Sequence, residues 1–394
     1  MLQVQVDAPR GEFSPSVLMG MDDKLHINVF DRLQTVKRLD SIDDPTGSGS
    51  INHDERRWMG TLSVPFSTVY SSERIEGVFE LQGPGHLIGY EKGQGQPMLQ
   101  LLITLDPPLL QPQVEDAPVP ILPEALLKRA RDWCAAVQKL LPSGSPTPPF
   151  ACMTLDGTWA LLPQFIGPQQ PPAEVTTPEE AARYVSLVPF ADDWPSSNDG
   201  SSGTSVRRVV DIWCSTAEFL EIHAGDWEEH AVLLCNYLLH LGLDAYVVLG
   251  QGVPEGSTVY VLSRPKTEIS TWQLWNASTS TRYSTTDTNC SLKRIDYLVS
   301  GTNIWANIQS SREPCRCSYN LTDPRAWLPL FDAVNTRPDL QLLNPPSVAY
   351  TKPSLAVAEA FEREIHSHLK DKVRVTSAAA PLTVEPKLTL ALSV

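Results

Sequence analysis

The sequence lacks any apolar run near the roughly 18 residues that span a bilayer, so no membrane-crossing helix is expected. Its first residues, MLQVQVDAPRGEF, have no basic segment followed by an apolar core, which argues against a secretory signal. Basic charge is short: 31 Lys and Arg stand against 46 Asp and Glu, a net charge of -15. That balance argues against a generic nucleic-acid binder, which needs a basic footprint, although it leaves room for a local basic patch. Paired cysteines are missing too. The seven present are odd in number and scattered, which fits free thiols in a reducing, cytoplasmic setting better than a disulfide framework. Cys315 and Cys317 form a CxC pair, but no second pair stands at a zinc-ligand spacing, so neither metal nor cofactor is expected. Internal repeats and heptad runs are absent as well.

Proline and apolar residues are what the chain does have. The hydrophobic share is 42%, enough for real cores, and the 34 prolines cluster at 107–123, 142–149 and 163–178. Those clusters divide the chain into 1–110, a linker 111–175, a main domain 176–335 and a tail 336–394. The first part is β-like: LHINVFD (25–31), WMGTLSVPF (58–66) and the run from Met98 to Leu105 alternate apolar and polar positions, with a long polar loop between the first two. Such spacing suggests a β-sandwich. Apolar residues at helical spacing predict helices over 122–141 and 354–374. Asp156-Gly157 predicts a type I′ hairpin turn. Thr177, Pro178, Glu179 and Glu180 predict a capped helix start running to Val188. The stretch 192–205 and the last twenty residues read as unstructured.

The most informative stretch is Gly225–Gly250, GDWEEHAVLLCNYLLHLGLDAYVVLG. Asp226, Glu228 and Glu229 form an acidic first turn, favourable to the helix dipole. Ala231, Leu234, Cys235, Leu238 and Leu241 form a core-facing stripe, Gly242 supplies the stop, and AYVVLG reads as a buried strand. This unit resembles the transglutaminase-like and papain-like cores, in which a nucleophilic cysteine opens the helix. The resemblance puts Trp227 at the nucleophile position between the matching Gly225 and Ala231. It puts Thr258 at the histidine position in STVYVLS, with Tyr260 as the alternative register, and Asn276 at the aspartate position in WQLWNAST. An indole supplies no thiolate and threonine is no imidazole base, so the resemblance implies an inactivated enzyme. The remaining candidate thiols are Cys214 and Cys235, with His223 and His230 nearby in sequence. Cys235 lies on the apolar stripe and reads as a core residue.

The β region resembles the second half of a C2 domain, carried by LHINVFD and RRWMGTLSVPFSTVY. Where calcium-binding members place a second aspartate after Asp31, this chain has Leu33. Asp40, Asp43 and Asp44 read as a solvated loop rather than a cation site. In order and in motif (RRWMGTLSVPFSTVY, ARYVSLVPF, GDWEEHAVLLCNYLLHLG, VPEGSTVYVLS, LWNAS and GTNIWANIQ), the chain resembles the coiled-coil and C2 domain-containing protein 2 family over about residues 20 to 375. The expectation is an α+β chain: a partial C2-type sandwich, then an inactivated transglutaminase-like domain. The resemblance implies a non-enzymatic scaffold at the basal body and ciliary transition zone. It would support cilium assembly and membrane-protein gating, with tectonic-type and other C2-domain proteins as partners. A vestigial cleft at Trp227, Glu228, Tyr260 and Asn276 would bind a peptide segment, tubulin tails being one ligand class. The rival expectations are an active cysteine peptidase or amidase and a membrane-docking C2 module.

Overall fold

The computed structural model describes residues 6, 13–14, 17–18, 21, 23–39, 49–72, 74–83, 97–107, 109, 120–142, 147–191, 212–266, 271–332, 338, 341–350 and 354–378. Asp40, Asp43, Asp44 and the segment 192–205 lie outside these residues, as do the last sixteen positions. The chain forms two compact units, Met1–Val348 and Ala349–Val394. It is a mixed α+β structure.

The first unit opens with two hairpins. Strand β1 (Lys24–Leu39) pairs antiparallel with β2 (Gly49–Pro65), from Lys24 opposite Pro65 to Leu39 opposite Gly49. Helix α1 (Phe66–Ser72) follows, then β3 (Arg74–Glu80) paired with β4 (Met98–Thr104). The long polar loop expected between the first two strands is mostly ribbon. Main-chain pairing carries the strands past the last apolar alternation, where hydropathy gives no signal. Reciprocal bonds of 2.8 and 2.9 Å between Thr61 and Gln82 join the two hairpins. Leu62, Val64, Val69, Ile75, Phe79 and Leu81 bury one shared apolar face.

Helix α2 (Glu124–Leu140) buries Leu126, Ala130, Trp133, Cys134 and Val137 at helical spacing. It is tied to a later strand, because Trp133 Nε1 donates to the Leu328 carbonyl at 3.1 Å and Arg129 Nε to that of Leu330 at 2.8 Å. Strands β5 (Ala151–Thr154) and β6 (Trp159–Leu161) form the expected hairpin. The turn, however, is not type I′. Only Gly157 has positive φ, at 80°, and its amide donates to the Thr154 carbonyl at 2.9 Å. The Thr154 amide bonds the Thr158 carbonyl at 2.8 Å, so three residues lie inside that closing bond, enough for a type I turn ended by a left-handed glycine. Helix α3 (Pro178–Ser186) starts on the foreseen Thr177 cap and ends two residues short of Val188; the cap is part of a capping box, in which Thr177 accepts from the Glu180 amide and Glu180 reaches back to the Thr177 amide at 3.0 Å. Strand β7 (Ile212–Trp213) runs parallel to β5, and α4 (Thr216–Ile222) follows it.

Then come α5 (Trp227–His240), β8 (Leu243–Gly252), β9 (Gly256–Pro265), β10 (Gln273–Asn276), β11 (Thr281–Ser284), β12 (Leu292–Val299), β13 (Ile304–Asn307) and β14 (Trp327–Pro329). They form a seven-stranded sheet in the order β11-β10-β9-β8-β12-β13-β14, antiparallel throughout. Its two faces have different coverings. Val248, Tyr260, Leu262 and Leu274 share a cluster with Cys290, Ile295, Leu298 and Trp327, to which no α5 residue belongs. The alternate residues Ser263 and Trp275 face the other way and are bonded to each other at 2.9 Å. Arg282, paired with Trp275 and lying over its ring, bonds Glu179 of α3, and Tyr184 of α3 packs on Tyr237 of α5. The helices therefore cover the Val259–Val261–Trp275 face.

The second unit contains helix α6 (Leu355–Ala378).

Candidate functional site

The first turn of α5 is built around an aspartate cap and a buried glutamate. Gly225 precedes the cap because a Cβ there would lie 2.7 Å from Phe219 and 3.1 Å from Glu229. Asp226 accepts from the Glu228 amide at 3.1 Å, while Glu229 accepts from the Asp226 amide at 3.0 Å. The second carboxyl oxygen of Glu229 accepts from the Cys214 amide at 3.0 Å, tying α5 to the strand-to-helix link ahead of α4. Burial, reinforced by the Asp226 carboxylate beside it, pushes the Glu229 carboxyl up to about 9, so the side chain is neutral at physiological pH. The sequence pattern offered Glu229 only as a surface acid near the helix dipole. In fact everything from Glu229 to Leu238 is buried, where the pattern suggested a single apolar stripe. Asn236 shows how that is tolerated, accepting from the Gly167 amide and donating to the Phe165 carbonyl, each at 3.0 Å.

Trp227 stands at the first helical position with its indole packed on Phe190, ring centroids 4.5 Å apart. The Phe190 segment is stitched to the helix entry by the Ala191 amide bonding the Gly225 carbonyl at 2.8 Å. Glu228 lines a cavity of about 280 Å³ at the N-terminal end of α5, with Trp213, Gln251, Thr258, Arg294 and Tyr297 among its walls. Asp296 is held there between two arginines. Arg294 binds both its oxygens at 2.8 to 3.0 Å, and Arg312 binds one at 2.7 Å. A larger hollow of about 460 Å³, walled by Leu239, Asp244, Tyr246 and Trp305, sits at the other end of α5. Its position divorces it from the helix entry.

The strand residues fall elsewhere. Asn276 follows the paired Trp275 and Val261 in the register, opposite Tyr260, and donates to the Tyr260 hydroxyl at 3.1 Å. Both bond the Glu255 carboxyl, at 3.1 and 3.3 Å. Burial raises the Glu255 carboxyl, and burial plus that carboxyl raises Tyr260 well above the usual phenol range. Tyr260 and Asn276 thus form one buried polar knot on the sheet face away from α5. The four residues expected to line one cleft are split, Trp227 and Glu228 on the helix side, Tyr260 and Asn276 behind the sheet. The physical reason is strand alternation: Tyr260 and Asn276 lie on the face opposite Val261 and Trp275, which is the face the helices cover. Thr258, two residues before Tyr260 and on the same face, is also buried, with a hydroxyl that has no hydrogen-bond partner; paired with Gly250, it borders the smaller cavity at the sheet. Sequence alignment could not separate the faces. The pairing of β9 with β10 does.

No alternative cysteine–histidine pair is assembled by the described residues. His230 is buried with Nδ1 2.6 Å from the Asp226 carbonyl and Nε2 3.0 Å from the Val188 carbonyl, so both nitrogens face acceptors. His223 caps α4 in the left-handed region, at φ 61°, and is exposed. Cys235 is fully buried and its thiol is raised by that burial, as are Cys134 and Cys317, each to about 11, and Cys290, to about 12. Cys214 is half-buried. No group of three His, Cys, Asp or Glu able to hold a metal occurs among the described residues.

Comparison with known proteins agrees with the motifs. The family described as the CEP76 peptidase-like domain matches residues 211–330, the segment from β7 through β14. Human Protein CC2D2B is 27% identical over 94% of this chain, and the coiled-coil and C2 domain-containing protein 2A of Drosophila melanogaster is 28% identical over 84%. Over most of its length the chain is similar to members of the coiled-coil and C2 domain-containing protein 2 family. It spans 27% and 25% of the length of those two relatives, about a quarter of each. A shorter match, 36% identical over 27% of this chain and 15% of the relative, is to the centrosomal protein of 76 kDa of Danio rerio. Among solved structures, Legionella pneumophila LapG covers 47% of this chain and 79% of its own, at 14% identity and a TM-score of 0.26. At that score the likeness carries no argument.

Proposed function

We propose that this relative of the coiled-coil and C2 domain-containing protein 2 family is a non-catalytic protein-binding scaffold of the centrosome and ciliary base. Its β7–β14 segment would be an inactivated peptidase core of the transglutaminase-like type, and its hairpins the remnant of a C2 sandwich. The observation that carries the reading is the helix entry. The position where the resemblance places a thiolate holds Trp227 packed on Phe190, and the nearby His230 has both ring nitrogens against backbone carbonyls. The centrosomal name of the 76 kDa relatives supports the location. Transition-zone membership, membrane-protein gating and contact with tectonic-type partners are the finer form of the proposal. The binding surface we assign is the hollow lined by Glu228, Arg294 and Asp296 at the N-terminal end of α5, which suits a peptide segment with polar anchors.

The test uses the full chain in ciliated cells. A tagged protein should co-localise with a centriolar marker and recover a tectonic-type partner, with recovery reduced by Arg294→Ala. Unchanged recovery would remove the hollow as the interface. Labelling with iodoacetamide at pH 7 should be slow and non-selective. Fast, site-selective labelling of Cys214 would instead restore the enzyme reading.

A further inference from the structure

We propose that α6 pairs antiparallel with the α6 of a second copy of this chain. Every described side chain of α6, from Leu355 to Lys370, is exposed. Those include Leu355 at 77%, Val357 at 60%, Phe361 at 63% and Ile365 at 44%, the last three at steps of four residues. Val357, Phe361 and Ile365 therefore drift along one side of the helix and form an apolar stripe open to water, a spacing that Leu369 and Val373 continue in the sequence into the second half. A single helix of this length is marginal in water and takes most of its stability from a covered apolar face.

Charge identifies the occupant. The first half of the helix, Leu355 to His366, carries Glu359, Glu362 and Glu364 against Arg363 alone. The second half, Ser367 to Ala378, carries Lys370, Lys372 and Arg374 against Asp371 alone. The halves are oppositely charged to the same extent. A parallel pair would set like charge on like along its whole length. An antiparallel pair sets each acidic half on a basic half, twice over, and opposes the two helix dipoles. Among the described side chains of the helix, Glu359 and Arg363 stand 3.9 Å apart, a loose exposed pair. The same charge pattern opposes a strongly acidic or strongly basic partner, which would be repelled by one half.

The experiment is sedimentation equilibrium on the full chain, from micromolar to about 100 µM, with circular dichroism as a folding control. The wild type should form a dimer that weakens several-fold between 0.1 and 0.5 M NaCl, because exposed charges are screened. The double variant Phe361→Asp/Ile365→Asp should weaken it by about a hundredfold, from two lost apolar contacts. Reversing the acids (Glu359→Lys, Glu362→Lys, Glu364→Lys) or the bases (Lys370→Glu, Lys372→Glu, Arg374→Glu) should give monomers, and mixing these two variants should restore the dimer. A monomeric wild type at the highest concentration overturns the proposal. So does a dimer that survives the apolar double variant, or charge variants that dimerise as the wild type does.

Discussion

At the residue scale, Glu229 is the clearest case of a side chain whose surroundings reverse its ordinary behaviour. Its ionisation lies near 4.5 in the unfolded chain and is raised to about 9 in the fold. Between those values the folded state holds a proton that the unfolded state has released. The contribution is complete below about pH 4.5 and is lost as pH rises toward 9. Melting temperatures measured from pH 5 to 9 should therefore fall more steeply for the wild type than for Glu229→Gln. Glu229→Ala leaves the Asp226 and Cys214 amides without their acceptor and should cost about 2–5 kcal/mol in urea denaturation. Trp227→Cys answers a different question. A thiol at the helix entry should label faster than the native cysteines yet show no peptidase turnover, because Tyr260 and Asn276 are bonded to each other behind the sheet.

At the scale of elements, local chemistry was readable where it is self-contained. Thr177 through Glu180 specify a capped start, and Gly242, at φ 87°, ends α5 as its position suggests. Thr177→Ala should cost about 1 kcal/mol, read as a small drop in the urea midpoint. What sequence did not show depends on partners distant in the chain. Nothing near Gly250 announces that a Cβ there would fall 2.1 Å from the Arg294 carbonyl on β12. Gly250→Ala should push β8 from β12 and cost about 3 kcal/mol or more, with hydrogen exchange rising first along those two strands. The polar ribbon of β1 and β2 escaped notice for the same reason, since its register is set by main-chain bonds rather than by side-chain pattern. Of the candidate site, the helix entry was legible and the facing of the strands was not.

At the scale of the molecule, the sheet order places β12 beside β8 although three strands separate them in the chain. The sheet is thus closed late, by segments that also carry Asp296 and its two arginines. The amino-terminal hairpins depend on it as well. Val253, at the tip between β8 and β9, is buried in their apolar cluster, and Thr68 of α1 donates to the Pro254 carbonyl at 3.1 Å. That joint has a consequence for synthesis. The hairpins leave the ribosome well before the tip that completes their core, and at about 5–20 residues per second the interval is on the order of ten seconds. During that time Leu62, Val64 and Phe79 have an unfilled side, and a nascent chain stalled before Val253 would display it to whatever chaperone is nearest.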